Sequence, residues 1–253
     1  FANFQYGSIS GTKWHDQDGD SVMDGSEPKL ANWLIRLKKG TTLVNSSTTN
    51  ASGNYSFTNI TAGTYEVSES LLTGWTQTFP ASGKYTITII SGTVETNKNF
   101  GNLKLGSISG SKFFDHDSSG TKNGCEEMLA NFKFELSKGS VKETLTTGTS
   151  GTFSFINKLP GTYTLKEIQK SGWRQTKPAG GALYTITISS GVDTSGFEFG
   201  NFYALDSAKM RTMIHSNFAD IISVATNAQG YIKVTVSNID QLGSNVKDTV
   251  FNR

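Results

Sequence analysis

Residues 16–27 read D-Q-D-G-D-S-V-M-D-G-S-E, and their spacing governs how the rest of the chain is read. Numbering Asp16 as position 1 puts carboxylates at 1, 3, 5, 9 and 12, on Asp16, Asp18, Asp20, Asp24 and Glu27. This is the ligand spacing of an EF-hand-type calcium loop, in which position 7, here Val22, contributes its backbone carbonyl. An acidic surface turn would account for one such stretch, because Asp and Gly are common in turns. It does not account for two. Residues 115–126 read D-H-D-S-S-G-T-K-N-G-C-E and keep oxygen donors at the same places: Asp115, Asp117, Ser119, Asn123 and Glu126, with Thr121 at position 7. The residues between them change while the donors persist, so the expected cofactor is Ca2+.

The loops belong to a long internal repeat. Phe1-Ala-Asn3, Phe100-Gly-Asn102 and Phe199-Gly-Asn201 recur 99 residues apart. Gly7-Ser-Ile-Ser-Gly11 returns at 106–110, Leu30-Ala-Asn-Trp33 as Leu129-Ala-Asn-Phe132, and Gly74-Trp-Thr-Gln-Thr78 as Gly172-Trp-Arg-Gln-Thr176. Phe1-Ala-Asn3 reads as the closing tag of a preceding unit, so further copies are expected upstream.

Within each unit the apolar residues alternate with a period of two. Ile35 and Leu37 alternate with Leu34, Arg36 and Lys38, and Thr152-Phe-Ser-Phe155 and Tyr184-Thr-Ile-Thr-Ile188 follow suit. Gly-containing turns such as Lys39-Gly40 and Ser52-Gly53 separate these runs. About seven short strands per unit predict an all-β antiparallel sandwich. The domains read as 4–101, 102–201 and a remainder, 202–253, that matches neither repeat. In the remainder Asp206 or Ser207 caps an expected helix with Met210, Met213, Ile214, Phe218, Ile221 and Ile222 at helical spacing. Tyr231–Val236 reads as a strand, which makes this a small α+β segment: a truncated domain or an assembly element.

Composition narrows the function. Charged residues are 17% with a net charge of +2 and no basic cluster, which argues against nucleic acid. No apolar run reaches the roughly 20 residues that cross a bilayer. Phe1 rather than Met begins the chain, as expected of a mature product or a piece of a longer one. Cys125 is the sole cysteine, so no internal disulfide is available. Sequons at Asn45, Asn50, Asn54 and Asn59 lean towards an exported, glycosylated protein. Catalytic motifs are absent and no enzyme is expected. Of the three histidines, His15 and His116 flank or interrupt the loops at non-ligand positions, and the Cys125–His116 proximity has no counterpart at Ser26 and Gln17. Trp14, Trp33, Trp75 and Trp173 read as core packing at a sandwich end rather than a sugar-stacking face.

The ordered set G-S-I-S-G-T-K-W-x-D, acidic loop, E-P-x-L-A, G-N-Y-S-F, A-G-T-Y-E-V and G-W resembles the B domains of serine-aspartate-repeat surface adhesins (SdrD B-like), cousins of collagen-adhesin B-type (CnaB) domains. The resemblance covers residues 4–201. It implies tandem prealbumin-like sandwiches that bind calcium at the loop residues named above and serve as stalk modules of an extracellular, cell-surface structural protein. Implied partners are other copies of the chain, adjacent repeats, and surface glycans or host proteins if it acts instead as an adhesin. CnaB domains often form a Lys–Asn isopeptide bond with a buried Glu as catalyst, and Glu69 and Glu167 stand where that Glu belongs. The lysine would fall at Trp14 and Phe113, two residues before each loop. Lys13 and Lys112 are one place off and expected on the opposite strand face, so no crosslink is expected.

Overall fold

A computed structural model describes residues 3–124, 126–203, 221–226, 232–236 and 249–251. The first repeat folds as nine strands: β1 Gly7–His15, β2 Leu34–Lys39, β3 Thr42–Thr48, β4 Asn54–Ile60, β5 Gly63–Glu69, β6 Trp75–Phe79, β7 Lys84–Ile89, β8 Val94–Glu95 and β9 Phe100–Lys104. One sheet runs β4-β1-β9-β6 with β8 alongside β1, and the other runs β3-β2-β5-β7. The pairing is antiparallel throughout except where β1 meets β8 and β9, which run parallel to it. First and last strands of the repeat therefore lie side by side, Lys13 opposite Phe100 and His15 opposite Asn102.

The period of two in the sequence becomes the inside and outside of this sandwich. Ile35 and Leu37 of β2, Tyr55 and Phe57 of β4, Tyr65 and Val67 of β5, and Ile87 and Ile89 of β7 are buried together with Ile9, Trp33 and Phe100 in one core. Both sheets contribute, which is what makes the pair a sandwich. Burial of each large apolar side chain is worth about 1.5–3 kcal/mol.

The second repeat follows the same plan with β10 Gly106–Phe114, β11 Lys133–Lys138, β12 Val141–Thr146, β13 Thr152–Lys158, β14 Gly161–Ile168, β15 Trp173–Lys177, β16 Tyr184–Ile188 and β17 Asp193–Tyr203. Its sheets run β13-β10-β17-β15 and β12-β11-β14-β16. Phe134 of β11 stacks on Phe153 of β13 at 4.3 Å and meets Phe199 of β17 at 4.8 Å, closing the two sheets on each other. A single 3-10 turn, Ala179–Gly181, interrupts an otherwise strand-and-loop unit.

Three further strands, β18 Ile221–Thr226, β19 Ile232–Val236 and β20 Thr249–Phe251, form a small antiparallel sheet. The strand expected at 231–236 is present as β19. Ile221 and Ile222, expected on a helix, instead begin β18. The run Ile-Ile-Ser-Val-Ala-Thr is rich in β-branched residues, which lose side-chain freedom in a helix and suit a strand. The remainder of the expected helix, including Asp206, Ser207, Met210, Met213, Ile214 and Phe218, lies outside the described residues, as does Cys125. Among the described residues no helix is long and apolar enough to cross a membrane.

Candidate functional site: an acidic loop and a buried lysine at the end of the first strand

β1 ends by delivering two features within four residues. Two loop residues hold its main chain: Lys13 N–H donates to the Gly53 carbonyl at 2.8 Å and its carbonyl accepts from Leu30 N–H at 3.0 Å. Gly53 has φ +73°, and a Cβ there would stand 2.4 Å from the Lys13 carbonyl oxygen, so only glycine lets that turn press against the strand. Lys112 is held in the same way by Gly151 and Leu129.

The acidic loop follows at once. Asp16, fully buried, accepts from Gly19 N–H at 2.7 Å and Ser21 N–H at 3.0 Å. Glu27 reaches back over the loop and takes Gln17 N–H at 2.8 Å and Asp24 N–H at 3.1 Å. The second loop repeats the scheme: Asp115 accepts from Ser119 and Gly120, and Glu126 from His116 and Asn123. Asp16, Asp18 and Glu27 bring carboxylate oxygens within 4.8 Å of one another, as do Asp18, Asp20 and Asp24, and Asp115, Asp117 and Glu126. Eight of the expected side-chain ligands are thus gathered. Of the others, Ser119 donates its hydroxyl to the Thr121 carbonyl at 3.1 Å, Asn123 turns its amide toward Asp117 at 3.4 Å, and Val22 is an exposed residue whose N–H donates to Asp20. The donor set is hard oxygen throughout, with neither sulfur nor imidazole, and such a set suits a calcium ion. His116 pairs with Glu127 at 2.7 Å, away from the loop's interior.

The lysines are where the sequence reading needs correction. Lys13 does not face away from the core: it shares strand parity with Ile9, and both are completely buried. Trp14 takes the opposite face and is covered there by Phe79, with ring centroids 5.5 Å apart. Lys13 Nζ lies 2.9 Å from Glu69 Oε2, both side chains sealed from solvent. The Trp33 ring sits beneath the ammonium at 4.5 Å. Asn102 on β9 is fully buried beside them, its amide near enough to temper the Glu69 carboxyl without closing a well-formed hydrogen bond. In the second unit Lys112 Nζ lies 3.3 Å from Glu167 Oε2, above the Phe132 ring, and the Asn201 amide donates to Glu167 Oε1. Glu69 and Glu167 were visible in the sequence. Lys13, Lys112, Asn102 and Asn201 were not assigned, although the Ile9–Lys13 parity and the repeated Phe-x-Asn tag carried the signal.

Burial sets the electrostatics of both triads. Desolvation draws the Lys13 and Lys112 ammonium groups down to about 8, with the neighbouring glutamate opposing it. Desolvation likewise pushes the Glu69 and Glu167 carboxyls up, against the pull of the lysine charge. Each shift is in the direction of the neutral form of its group, with the partner's charge opposing it.

These two sandwiches match known families. Residues 7–105 match the SdrD B-like domain and residues 118–196 the prealbumin-like fold domain. The first repeat is thus similar to an SdrD B-like domain and the second to a prealbumin-like fold domain. Over 231 residues it is 26% identical to serine-aspartate repeat-containing protein F of Staphylococcus epidermidis, covering 86% of this chain and 14% of that protein. Over 211 residues it is 26% identical to serine-aspartate repeat-containing protein E of Staphylococcus aureus, covering 75% of this chain and 18% of that protein. The chain therefore spans less than a fifth of the curated relatives it matches. Among solved structures, a minor pilin of Streptococcus agalactiae aligns at 15% identity over 80% of this chain and 97% of its own, with a TM-score of 0.32.

In the first repeat the tryptophans pack against one another and the core. Trp14 and Trp33 are buried, and Trp75 stands edge-on to Trp33 at 5.3 Å. In the prealbumin-like domain Trp173 is ringed by Phe114, Phe132 and Tyr203. The four sequon asparagines are exposed. Asn50 and Asn54 use their side-chain oxygens to fix the β3–β4 turn and Thr12 respectively.

Proposed function

We propose that the chain is an extracellular structural module of a cell-surface protein: two β-sandwiches, each closed by an intramolecular Lys–Asn amide and stiffened at its loop by calcium. The observation that carries this reading is the sealed Lys–Glu–Asn triad, present in both domains with Nζ–Oε2 separations of 2.9 and 3.3 Å. Lys13 Nζ, as the neutral amine, attacks Asn102 Cγ. The Glu69 carboxyl donates a proton toward the departing amide nitrogen and takes one from Nζ, so it ends the reaction unchanged. Nζ–Cγ forms, Cγ–Nδ2 breaks, and ammonia leaves. Lys112, Glu167 and Asn201 take the same roles. A dry pocket helps, because water would solvate and protonate the amine.

The mechanical meaning lies in the topology. Lys13 is on β1 and Asn102 on β9, the first and last strands, which lie side by side. An amide between them carries a pull on the chain from entry strand to exit strand and leaves the sheets between unloaded. By the chain-entropy model for a closed loop of this length, such a tie also stabilises the fold by about 4–5 kcal/mol. Asp16, Asp18, Asp20, Asp24, Glu27 and the Val22 carbonyl would hold one calcium ion, and Asp115, Asp117, Ser119, Asn123, Glu126 and the Thr121 carbonyl a second. The ions would neutralise the clustered carboxylates at the ends of β1 and β10. Neighbouring repeats and other copies of the chain are the partners this role requires.

Intact-mass spectrometry of the purified chain tests the reading. The expected mass falls short of the sequence mass by two molecules of ammonia, and Lys13→Arg or Lys112→Arg each restores one. A full sequence mass would overturn it.

A further inference from the structure

In both domains the first carboxylate residue of the acidic loop and the asparagine of the triad meet through the main chain. Asp16 N–H donates to the Asn102 carbonyl at 2.9 Å, and Asp115 N–H to the Asn201 carbonyl at 2.9 Å. All four residues are completely buried. The side chain of Asp16 is at the same time bound to the loop amides of Gly19 and Ser21, and that of Asp115 to those of Ser119 and Gly120. A continuous run of hydrogen bonds thus leads from the loop interior, through the aspartate, to the residue that bears the acyl carbon. The far end of the loop is stitched to the same place: His15 N–H donates to the Pro28 carbonyl at 2.8 Å, and Phe114 N–H to that of Glu127 at 2.9 Å.

We infer that a divalent cation in each acidic loop sets the pace of amide formation in the triad of its own domain, with Asp16 and Asp115 as the positioning residues for Asn102 and Asn201. This rests on the crosslink reading above. Without a cation, the carboxylates of Asp16, Asp18, Asp20, Asp24 and Glu27 repel one another, and the loop relieves that repulsion by spreading. Spreading pulls first on Asp16, and through its N–H on Asn102. Attack of an amine on a carbonyl carbon needs close, directed approach, and a misplacement of about 1 Å can cost about a hundredfold in rate. A bound cation draws the loop shut and returns the asparagine to the amine. The second loop carries only Asp115, Asp117 and Glu126, so the prealbumin-like domain depends less on the ion.

The test is a time course of ammonia loss. The full chain is made by cell-free synthesis in chelator, its folding is followed by tryptophan fluorescence, and intact mass is read on the folded fraction before and after calcium is added. Asn201→Ala and Asn102→Ala chains isolate each triad. The expected result is at least a tenfold acceleration by calcium for the Lys13–Asn102 bond, a smaller one for Lys112–Asn201, and the slow chelator rate at every calcium level in a chain carrying D18N and D20N. Equal rates in chelator and calcium overturn the coupling while leaving the crosslink standing, as does acceleration that survives D18N and D20N. A chain that stays unfolded in chelator also overturns it, since calcium would then act on folding. No ammonia loss under either condition overturns the crosslink itself.

Discussion

Lys13 Nζ stands 2.9 Å from Glu69 Oε2 across the interior of the first sandwich, with neither side chain reaching solvent. One group comes from β1 and the other from β5, on opposite sheets. Glu69→Gln should therefore abolish one ammonia loss while leaving that of the second domain intact. Loss of the covalent tie should by itself lower stability by about 4–5 kcal/mol. Intact mass and urea unfolding read the two effects separately, and an unchanged mass deficit would sink the assigned role.

Without the crosslink, stability should depend on pH in a stated sense. In an Asn102→Ala, Asn201→Ala chain both lysines remain free. Between about 8, the buried value, and 10.5, the ordinary one, the folded state has released protons that the unfolded chain still holds. Stability then rises with pH across that window. The raised carboxyls of Glu69 and Glu167 act in the acid range with the opposite slope: the folded state keeps protons the unfolded chain has lost, so stability falls as pH climbs from 4.5 through their folded values. Thermal melts should show Tm increasing from pH about 8 to about 10. A flat or falling curve there would contradict the burial of uncrosslinked lysine.

Calcium removal should not affect the two domains alike. Five loop carboxylates in the first face three in the second. A chelator should lower the melting temperature of the SdrD B-like domain by the larger amount, and high salt should narrow the gap by screening the exposed Asp18, Asp20 and Asp24. Calorimetry with and without chelator decides, and equal shifts would refute the charge argument.

The second core offers a control unrelated to either site. Phe134 is inaccessible to solvent and packs on both Phe153 and Phe199. Phe134→Ala should cost about 3–5 kcal/mol, read by urea unfolding of the prealbumin-like domain. A cost below about 1 kcal/mol would mean that the two sheets do not close on that ring as described.

Much of the architecture lay open in the chain itself. Period-two runs such as Ile35–Leu37 and Phe153–Phe155 became buried strand faces, because a pleated strand next to a second sheet has only one dry side. The loop carboxylates converged because their spacing is local, within a dozen residues. The C-terminal helix signal failed at Ile221 and Ile222, where a short apolar run fits either period and β-branching favoured the strand.

Taken alone, the sequence determined the 99-residue repeat and, from neighbours a few positions apart, the period-two runs and the two oxygen-rich loops. It did not decide which way Lys13 points. Counting back from the loop put the reactive position at Trp14, yet the face a residue presents is settled by the sheet packed against it, and Ile9 anchors the parity that turns Lys13 inward. Nor does spacing reveal that Asn102, 89 positions along, pairs beside the same strand end. That meeting exists only because the first and last strands of the sandwich run side by side, and a contact of such sequence separation is fixed by tertiary pairing.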